Sequence, residues 1–199
     1  MTKSRMEAFS DGVIAVIITI MVLEMRAPAG SDLSALKPLI PVFLSYVMSF
    51  AFLGIYWNNH HHMLQAVRSV NGPILWANSH LLFWLSLTPF VTNWMGETHF
   101  ARWPVMVYGV VLLLAGIAYY ILARTLVAHH GPESALAAAL GSDFKGRISI
   151  VIYLVAIAAS FVAPWTSYTL YAVVALMWLI PDRRFEKVLL GQGKESGER

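Results

Sequence analysis

The residue of this sequence that is most clearly able to do chemistry is an aspartate at the start of an apolar run. Asp11 follows Ser10 and opens twelve uncharged residues that end before Glu24, in the segment RMEAFSDGVIAVIITIMVLE. Ionisable side chains inside membrane helices generally face protein or water, have a partner, and mark ion pathways or proton relays. Arg5 lies six residues earlier, too far around a helix for an i, i+4 pair, so a partner on a second helix is predicted.

A second polar stretch, YWNNHHHM at residues 56–63, offers such partners. If the first helix runs outward and the second returns, this stretch lies at the depth of Asp11. We therefore expect a buried polar network that links the inner ends of the two helices. Three histidines could instead suggest a metal or haem site, but His60, His61 and His62 are consecutive and point about 100° apart on a helix. They cannot converge on one ion, so neither a metal nor another cofactor is expected.

The composition decides which elements must position these residues. The chain has 199 residues, of which 58% are hydrophobic and 13% are charged, against about 25% charged in soluble domains. A soluble domain of this size could not bury so much apolar side chain, so the lipid bilayer is the expected solvent. A net charge of +3 is too small and too dispersed for a nucleic-acid surface. The absence of cysteine from the sequence excludes disulfides, thiolate metal sites and a cysteine nucleophile.

Charge-free windows predict an all-α membrane protein with six transmembrane helices. The uncharged run from residue 148 to 181 is too long for one span, and VAPWTS at its middle predicts a tight hairpin between two short helices. The predicted domain covers residues 1–181, and residues 182–199 are predicted to form a largely disordered cytoplasmic tail. The predicted spans are 6–26, 38–64, 72–95, 103–127, 146–162 and 165–181.

The distribution of basic residues predicts the orientation. With a cytoplasmic N-terminus, six spans place eleven Lys and Arg residues inside and three outside, as the positive-inside rule requires. Both termini are therefore predicted to be cytoplasmic, in a multi-pass protein of the inner (plasma) membrane. The first segment is not expected to be a cleaved signal peptide, because Glu7 and Asp11 occupy the region that should be basic.

Two further motifs accompany the first segment and support a family resemblance. The R-x-x-x-F-S-D pattern at residues 5–11 resembles the signature of the six-helix bacterial relatives of the endolysosomal potassium channel. W-x-x-H-H at Trp57 and P-F-x-T at Pro89 are similar to the same family. The resemblance implies a homotetramer whose four first helices line a central pore, with a potassium preference and without the usual carbonyl filter. In agreement, the sequence contains no TVGYG-like run.

The resemblance also implies roles for individual residues. Val16, Ile20 and Leu23 would line the pore as successive apolar rings that pass K⁺ and other monovalent cations, and Thr19 would add a ring of hydroxyls. Val16 would form the constriction, at a position where relatives tend to carry Leu or Ile. The residues implied to fix the first helix against the second are Arg5, Phe9, Ser10, Asp11, Trp57, and His60 or His61.

Other function classes explain the sequence less well. A single intramembrane carboxylate without a dyad motif or cofactor motif leaves no enzymatic reaction to write. A proton-coupled secondary transporter is the alternative, because Asp11 with a histidine could form a proton relay. The break that Pro89 predicts in the third span could be a packing kink or a substrate-binding discontinuity. A bundle with only a structural role leaves Arg5 and Asp11 unexplained.

Overall fold

The structure, a computed structural model, describes residues 2–140 and 144–179, and every regular element in these ranges is helical. A 3-10 helix, Leu33–Leu39, leads into the second α-helix. The predicted tail at 182–199 lies outside the described residues. The α-helices, in chain order, are α1 (Lys3–Leu23), α2 (Ile40–Gln65), α3 (Gly72–Ser86), α4 (Thr88–Glu97), α5 (Arg102–His130), α6 (Ala135–Leu140), α7 (Phe144–Ala159) and α8 (Pro164–Leu179).

Local signals explain where several helices begin. Thr2 caps α1, since its hydroxyl oxygen accepts a hydrogen bond from the Arg5 backbone N–H at 3.4 Å. Asn71 caps α3 by accepting the Ile74 backbone N–H at 3.1 Å. These side chains satisfy backbone donors that have no partner inside the helix. Pro164 begins α8, at a position where a missing N–H costs nothing.

Among the described residues, four helical segments are long and apolar enough to cross a membrane. They are α1, the 3-10 helix with α2, α3 with α4, and α5. Helices α7 and α8 have 16 residues each. Because a helix rises 1.5 Å per residue, each is about 24 Å long, somewhat less than a hydrocarbon core. A multi-pass helical membrane protein is thus confirmed, and the count of six spans stays a prediction.

The sequence-based helix bounds agree with the described helices to within three residues at every end that the structure describes. The predicted hairpin is also present, because α7 ends at Ala159 and α8 begins at Pro164. Hydropathy located these helices because a bilayer span must be almost continuously apolar.

The third predicted span is divided into two helices. Leu87 separates α3 from α4, and Pro89 occupies the first turn of α4. Proline lacks the backbone N–H that would continue the α3 ladder, so the break near Pro89 is confirmed. The break makes α4 a separate ten-residue element with its own contacts.

Two apolar clusters hold the described helices together. One cluster joins α1 to α2, α3 and α5, and the other joins α2, α4 and α5 to the hairpin of α7 and α8. The hairpin is fixed by hydroxyl groups: Tyr171 donates to the Val105 carbonyl at 3.1 Å, and Ser167 donates to the Ala156 carbonyl at 2.7 Å. Helix α1 packs mainly against α2, α3 and α4.

Candidate functional site

Helix α1 has one face buried against the rest of the chain. The buried positions follow a helical spacing of three or four residues, so they form one stripe along the helix. This stripe contacts α2, α3 and α4. Its members are Met6, Ser10, Ile14, Ile17 and Met21.

The opposite side of α1, which we call the open face, is not covered by any other described part of the chain. Val16 is 55% exposed and Leu23 is 79% exposed, although both are apolar. A groove of about 580 Å³ runs along this side, between α1 and the Ser86–Pro89 region of the α3–α4 break. The open face consists of Phe9, Gly12, Val16, Thr19, Ile20 and Leu23.

Thr19 is the hydroxyl-bearing residue of the open face, and its proton is already used. The Thr19 hydroxyl donates to the Val16 carbonyl oxygen at 2.9 Å. A hydroxyl has one proton and two acceptor lone pairs, so Thr19 keeps acceptor capacity on the exposed side. An acceptor without a free proton can contact a cation.

A buried chain of side-chain hydrogen bonds ties α1 to α2 and α3. Asn78 of α3 donates from Nδ2 to the Ser10 hydroxyl at 2.9 Å. Its Oδ1 lies 2.8 Å from His60 Nε2 on α2, so His60 must donate from Nε2. Ser10 in turn donates to the Met6 carbonyl at 2.8 Å. All three side chains are buried, at 0% exposure for Ser10, 2% for Asn78 and 1% for His60.

Asp11 belongs to a second, more exposed chain of contacts. The Trp57 indole N–H donates to Asp11 Oδ1 at 3.0 Å. The Trp57 ring stacks on His61 with centroids 6.0 Å apart, and Gln65 donates to His61 Nε2 at 2.8 Å. The partner that Asp11 lacked on its own helix is therefore an indole of α2.

The structure brings most of the predicted anchor residues together where the N-terminal part of α1 meets the C-terminal part of α2. Ser10 is buried, whereas Asp11 and Phe9 lie on the exposed side of α1 within one chain, because neighbouring helix residues point about 100° apart. The Arg5 side chain is exposed as well. The sequence analysis did not assign Asn78 to this group of residues. An amide inside an apolar span indicates only a hydrogen-bonded contact between helices.

The C-terminal end of α1 is acidic. A cavity of about 360 Å³ lies between Glu24, at the end of α1, and the α4 face that carries Asn93 and Glu97. Glu24 Oε2 and Asn93 Oδ1 are buried oxygen atoms to which no described residue donates a hydrogen bond. Within 2–140 and 144–179, no group of three His, Cys, Asp or Glu side chains is placed to hold a metal ion.

Comparisons with known proteins place this arrangement among ion channels. A protein of Chryseobacterium sp. (strain P1-3), named a potassium channel, is 55% identical over 189 residues, which are 95% of this chain and 98% of the relative. The crystal structure of a homologue of the lysosomal potassium-selective channel TMEM175, from Chamaesiphon minutus, matches with a TM-score of 0.78 at 29% identity. That match covers 90% of this chain and 97% of the other.

The motif-bearing part of the chain carries the family match. The model of the endosomal/lysosomal potassium channel TMEM175 family matches residues 5–89. The human endosomal/lysosomal proton channel TMEM175 is 30% identical over 147 residues, which are 65% of this chain and 29% of the human protein. These relatives are channels, so the expectation that the chain is not an enzyme is confirmed. The chain belongs to the TMEM175 family of cation channels.

Proposed function

We propose that this protein is a potassium-preferring cation channel of the inner (plasma) membrane, in which four copies place α1 around a central pore. The observation that carries this proposal is the open face of α1, a continuous apolar stripe with one hydroxyl at Thr19. In this arrangement Val16, Ile20 and Leu23 form apolar rings, and the six spans leave both termini in the cytoplasm. The relatives named as potassium channels support the same proposal.

The chemistry of the open face explains how such a pore could prefer potassium. An apolar ring offers no ligand, so a cation that crosses it must carry or shed its water. K⁺ holds its hydration shell less tightly than Na⁺, and partial dehydration near Val16 therefore favours K⁺. The lone pairs of Thr19 can replace part of the lost water, because its proton is held by the Val16 carbonyl.

The outer end of α1 supports cation entry. Glu24 and Glu97 line the same cavity beside the last turn of α1. Four copies around one axis would create a negative potential that raises the local cation concentration. This effect is electrostatic and weakens as the ionic strength rises.

The proposal is tested by recording currents from purified protein in planar bilayers under opposed K⁺ and Na⁺ gradients. We expect unitary currents that reverse toward the K⁺ potential, and a loss of that preference in Thr19→Ala. Thr125→Ala is the matched control, since Thr125 of α5 makes the same type of bond to its own helix, to the Ile121 carbonyl at 2.8 Å. Slow proton-coupled flux without unitary steps would contradict the channel and favour the transporter that uses Asp11.

The absence of cysteine from the sequence permits a direct test of which α1 face contacts water. Single cysteines at Val16 and Leu23 should react with a water-soluble thiol reagent and reduce the current, because only a hydrated thiolate reacts fast. A cysteine at Val151 is the control, since Val151 is 58% exposed on α7 and should face lipid. If the cysteines at Val16 and Leu23 reacted with the reagent as slowly as the cysteine at Val151, the pore would lie elsewhere.

The proposed constriction leads to a separate prediction. Val16→Leu should lower the unitary conductance, because each of four side chains gains a methylene and the ring becomes narrower and harder to wet. Single-channel recording measures this directly, with Val22→Leu as the control on the same helix. An unchanged conductance in Val16→Leu would remove Val16 from the constriction.

A further inference from the structure

Three hydroxyl groups meet inside the protein where α2, α4 and α5 cross. The Ser49 hydroxyl oxygen lies 2.6 Å from Thr92 Oγ1 and 2.9 Å from the Tyr108 hydroxyl oxygen. Ser49 and Tyr108 are 0% exposed, and Thr92 is 4% exposed. Burying three hydroxyls in a membrane-spanning bundle costs free energy unless each proton has an acceptor. This requirement determines the direction of each bond.

The carbonyl of Thr88 fixes the direction of the whole chain. Thr92 Oγ1 lies 2.6 Å from the Thr88 carbonyl oxygen, which can only accept, so the Thr92 proton is used there. Ser49 must then donate to Thr92, and Tyr108 must donate to Ser49, because each hydroxyl has one proton. The result is a directed chain from Tyr108 through Ser49 and Thr92 to Thr88, with every proton used.

The same cluster touches α1. Thr92 Oγ1 lies 3.9 Å from the Met21 sulfur, and since no hydroxyl proton remains, this contact is packing and not a hydrogen bond. Met21 is buried on the turn of α1 that presents Ile20 and Leu23 on the open face. A shift of Thr92 would therefore move the outer turn of α1.

Helix α4 needs an anchor of its own. The break at Leu87 interrupts the α3 ladder, so α3 does not fix how α4 is rotated or tilted. The directed chain supplies two interhelical ties, one from α2 and one through α2 to α5. The chain reaches α4 at Thr92, in the middle of the helix. Its last bond, from Thr92 to the Thr88 carbonyl, lies within α4 and uses the Thr92 proton.

We propose that the Tyr108–Ser49–Thr92 chain positions the outer turn of α1 and thereby sets the width of the pore at Ile20 and Leu23. These three residues are positioning residues that never touch the permeating ion. The proposal rests on the proposed function, because it assigns them an effect on the pore formed by α1. It predicts that losing one buried hydroxyl here changes permeation, whereas losing one elsewhere changes stability only.

The test compares two variants that each remove a buried hydroxyl. Thr92→Val keeps the side-chain shape and removes the acceptor of the Ser49 proton. Ser167→Ala removes the donor to the Ala156 carbonyl, a bond between α8 and α7. Ser167 is 0% exposed, so this variant also removes a fully buried hydroxyl. Thr92→Ser keeps the hydroxyl and removes only the methyl group. Melting temperature, unitary conductance and the K⁺/Na⁺ permeability ratio are measured for each protein.

We expect Thr92→Val to change the unitary conductance or the permeability ratio by about twofold or more. Thr92→Ser and Ser167→Ala should both leave these two quantities at the wild-type value. Wild-type permeation in Thr92→Val, with only a lowered melting temperature, would overturn the inference while the channel stands. A wild type without unitary currents would overturn the proposed function and this inference together.

A milder variant covers the case in which Thr92→Val does not assemble. Tyr108→Phe removes only the first donor and leaves the Ser49–Thr92 bond intact, so it should change permeation in the same direction and by less. Ser49→Ala should be the most harmful, since it leaves the buried Tyr108 proton without an acceptor. A reversed order of severity would contradict the assigned bond directions.

Discussion

Replacing Asn78 with leucine is expected to lower the free energy of unfolding by about 2–3 kcal/mol. Asn78 bonds both to α1, through Ser10, and to α2, through His60. Leucine has a similar size but leaves the His60 Nε2–H buried without an acceptor, and an unsatisfied buried donor costs more than the bond itself contributes. Reversible unfolding in detergent micelles measures the loss.

The same substitution should also reduce the current, because α1 loses its tie to α3 at the inner end of the proposed pore. Ser79→Ala is the control on the same helix: Ser79 is exposed and its hydroxyl bonds only to the Leu75 carbonyl of its own helix at 3.0 Å. That change should stay within about 0.5 kcal/mol of wild type. If Asn78→Leu were as mild as Ser79→Ala, the buried network would not anchor α1.

The helices could be predicted from the sequence because the bilayer imposes a simple rule on them. A span must be apolar over about 20 residues, and charged residues mark where it ends. Pro89 and Pro164 also act locally, since a missing backbone N–H breaks a helix wherever the fold places it. Element positions in this chain therefore depend on local information.

The partners inside the bundle could not be predicted in the same way. The depth argument predicted a partner for Asp11 on the polar end of α2, but it could not distinguish an indole from three imidazoles as that partner. Trp57 contacts Asp11 because its N–H reaches across from α2, whereas His60 turns toward α3 and meets Asn78. Those choices depend on helix rotation, which residue type alone does not fix.

The two faces of α1 illustrate the same limit. Ile14 and Ile17 are buried while Val16 and Ile20 are exposed, although all four are branched and apolar. In water, exposed apolar residues would be rare on a helix, so sequence would separate the faces. In a membrane both faces are apolar, and only the motif resemblance pointed to Val16, Ile20 and Leu23 as the open side.

The hydroxyl chain of Ser49, Thr92 and Tyr108 left no sequence signal of its own. Its members are 43 and 16 residues apart along the chain, and serine, threonine and tyrosine are common in membrane helices. Thr92 entered the sequence analysis only as part of a motif. The grouping appears once α4 is seen as a separate element that crosses α2 and α5.

The crossing of α2 and α4 leads to the second large prediction: Gly96→Ala should destabilise the protein by about 3 kcal/mol. A Cβ at Gly96 would lie 2.6 Å from the Ser45 hydroxyl oxygen and 2.7 Å from the Val42 Cα. Serine could change its rotamer, but the Val42 contact is backbone, so only a separation of the two helices relieves it. Small residues permit such close approach between membrane helices, and α4 would lose it.

A glycine on the same helix pair provides the control. Gly54 of α2 has no heavy atom within 4 Å of a Cβ placed on it, so Gly54→Ala should be neutral or stabilise α2 by up to about 1 kcal/mol. Adding Ser45→Ala to Gly96→Ala should recover only part of the loss, because the Val42 backbone contact remains. Full recovery would show that the Ser45 side chain, and not the approach of the two helices, limits this site.

If Gly96→Ala matched Gly54→Ala in unfolding experiments, the α2–α4 crossing would be looser than the structure shows. The hydroxyl chain between these helices could then not hold its short distances.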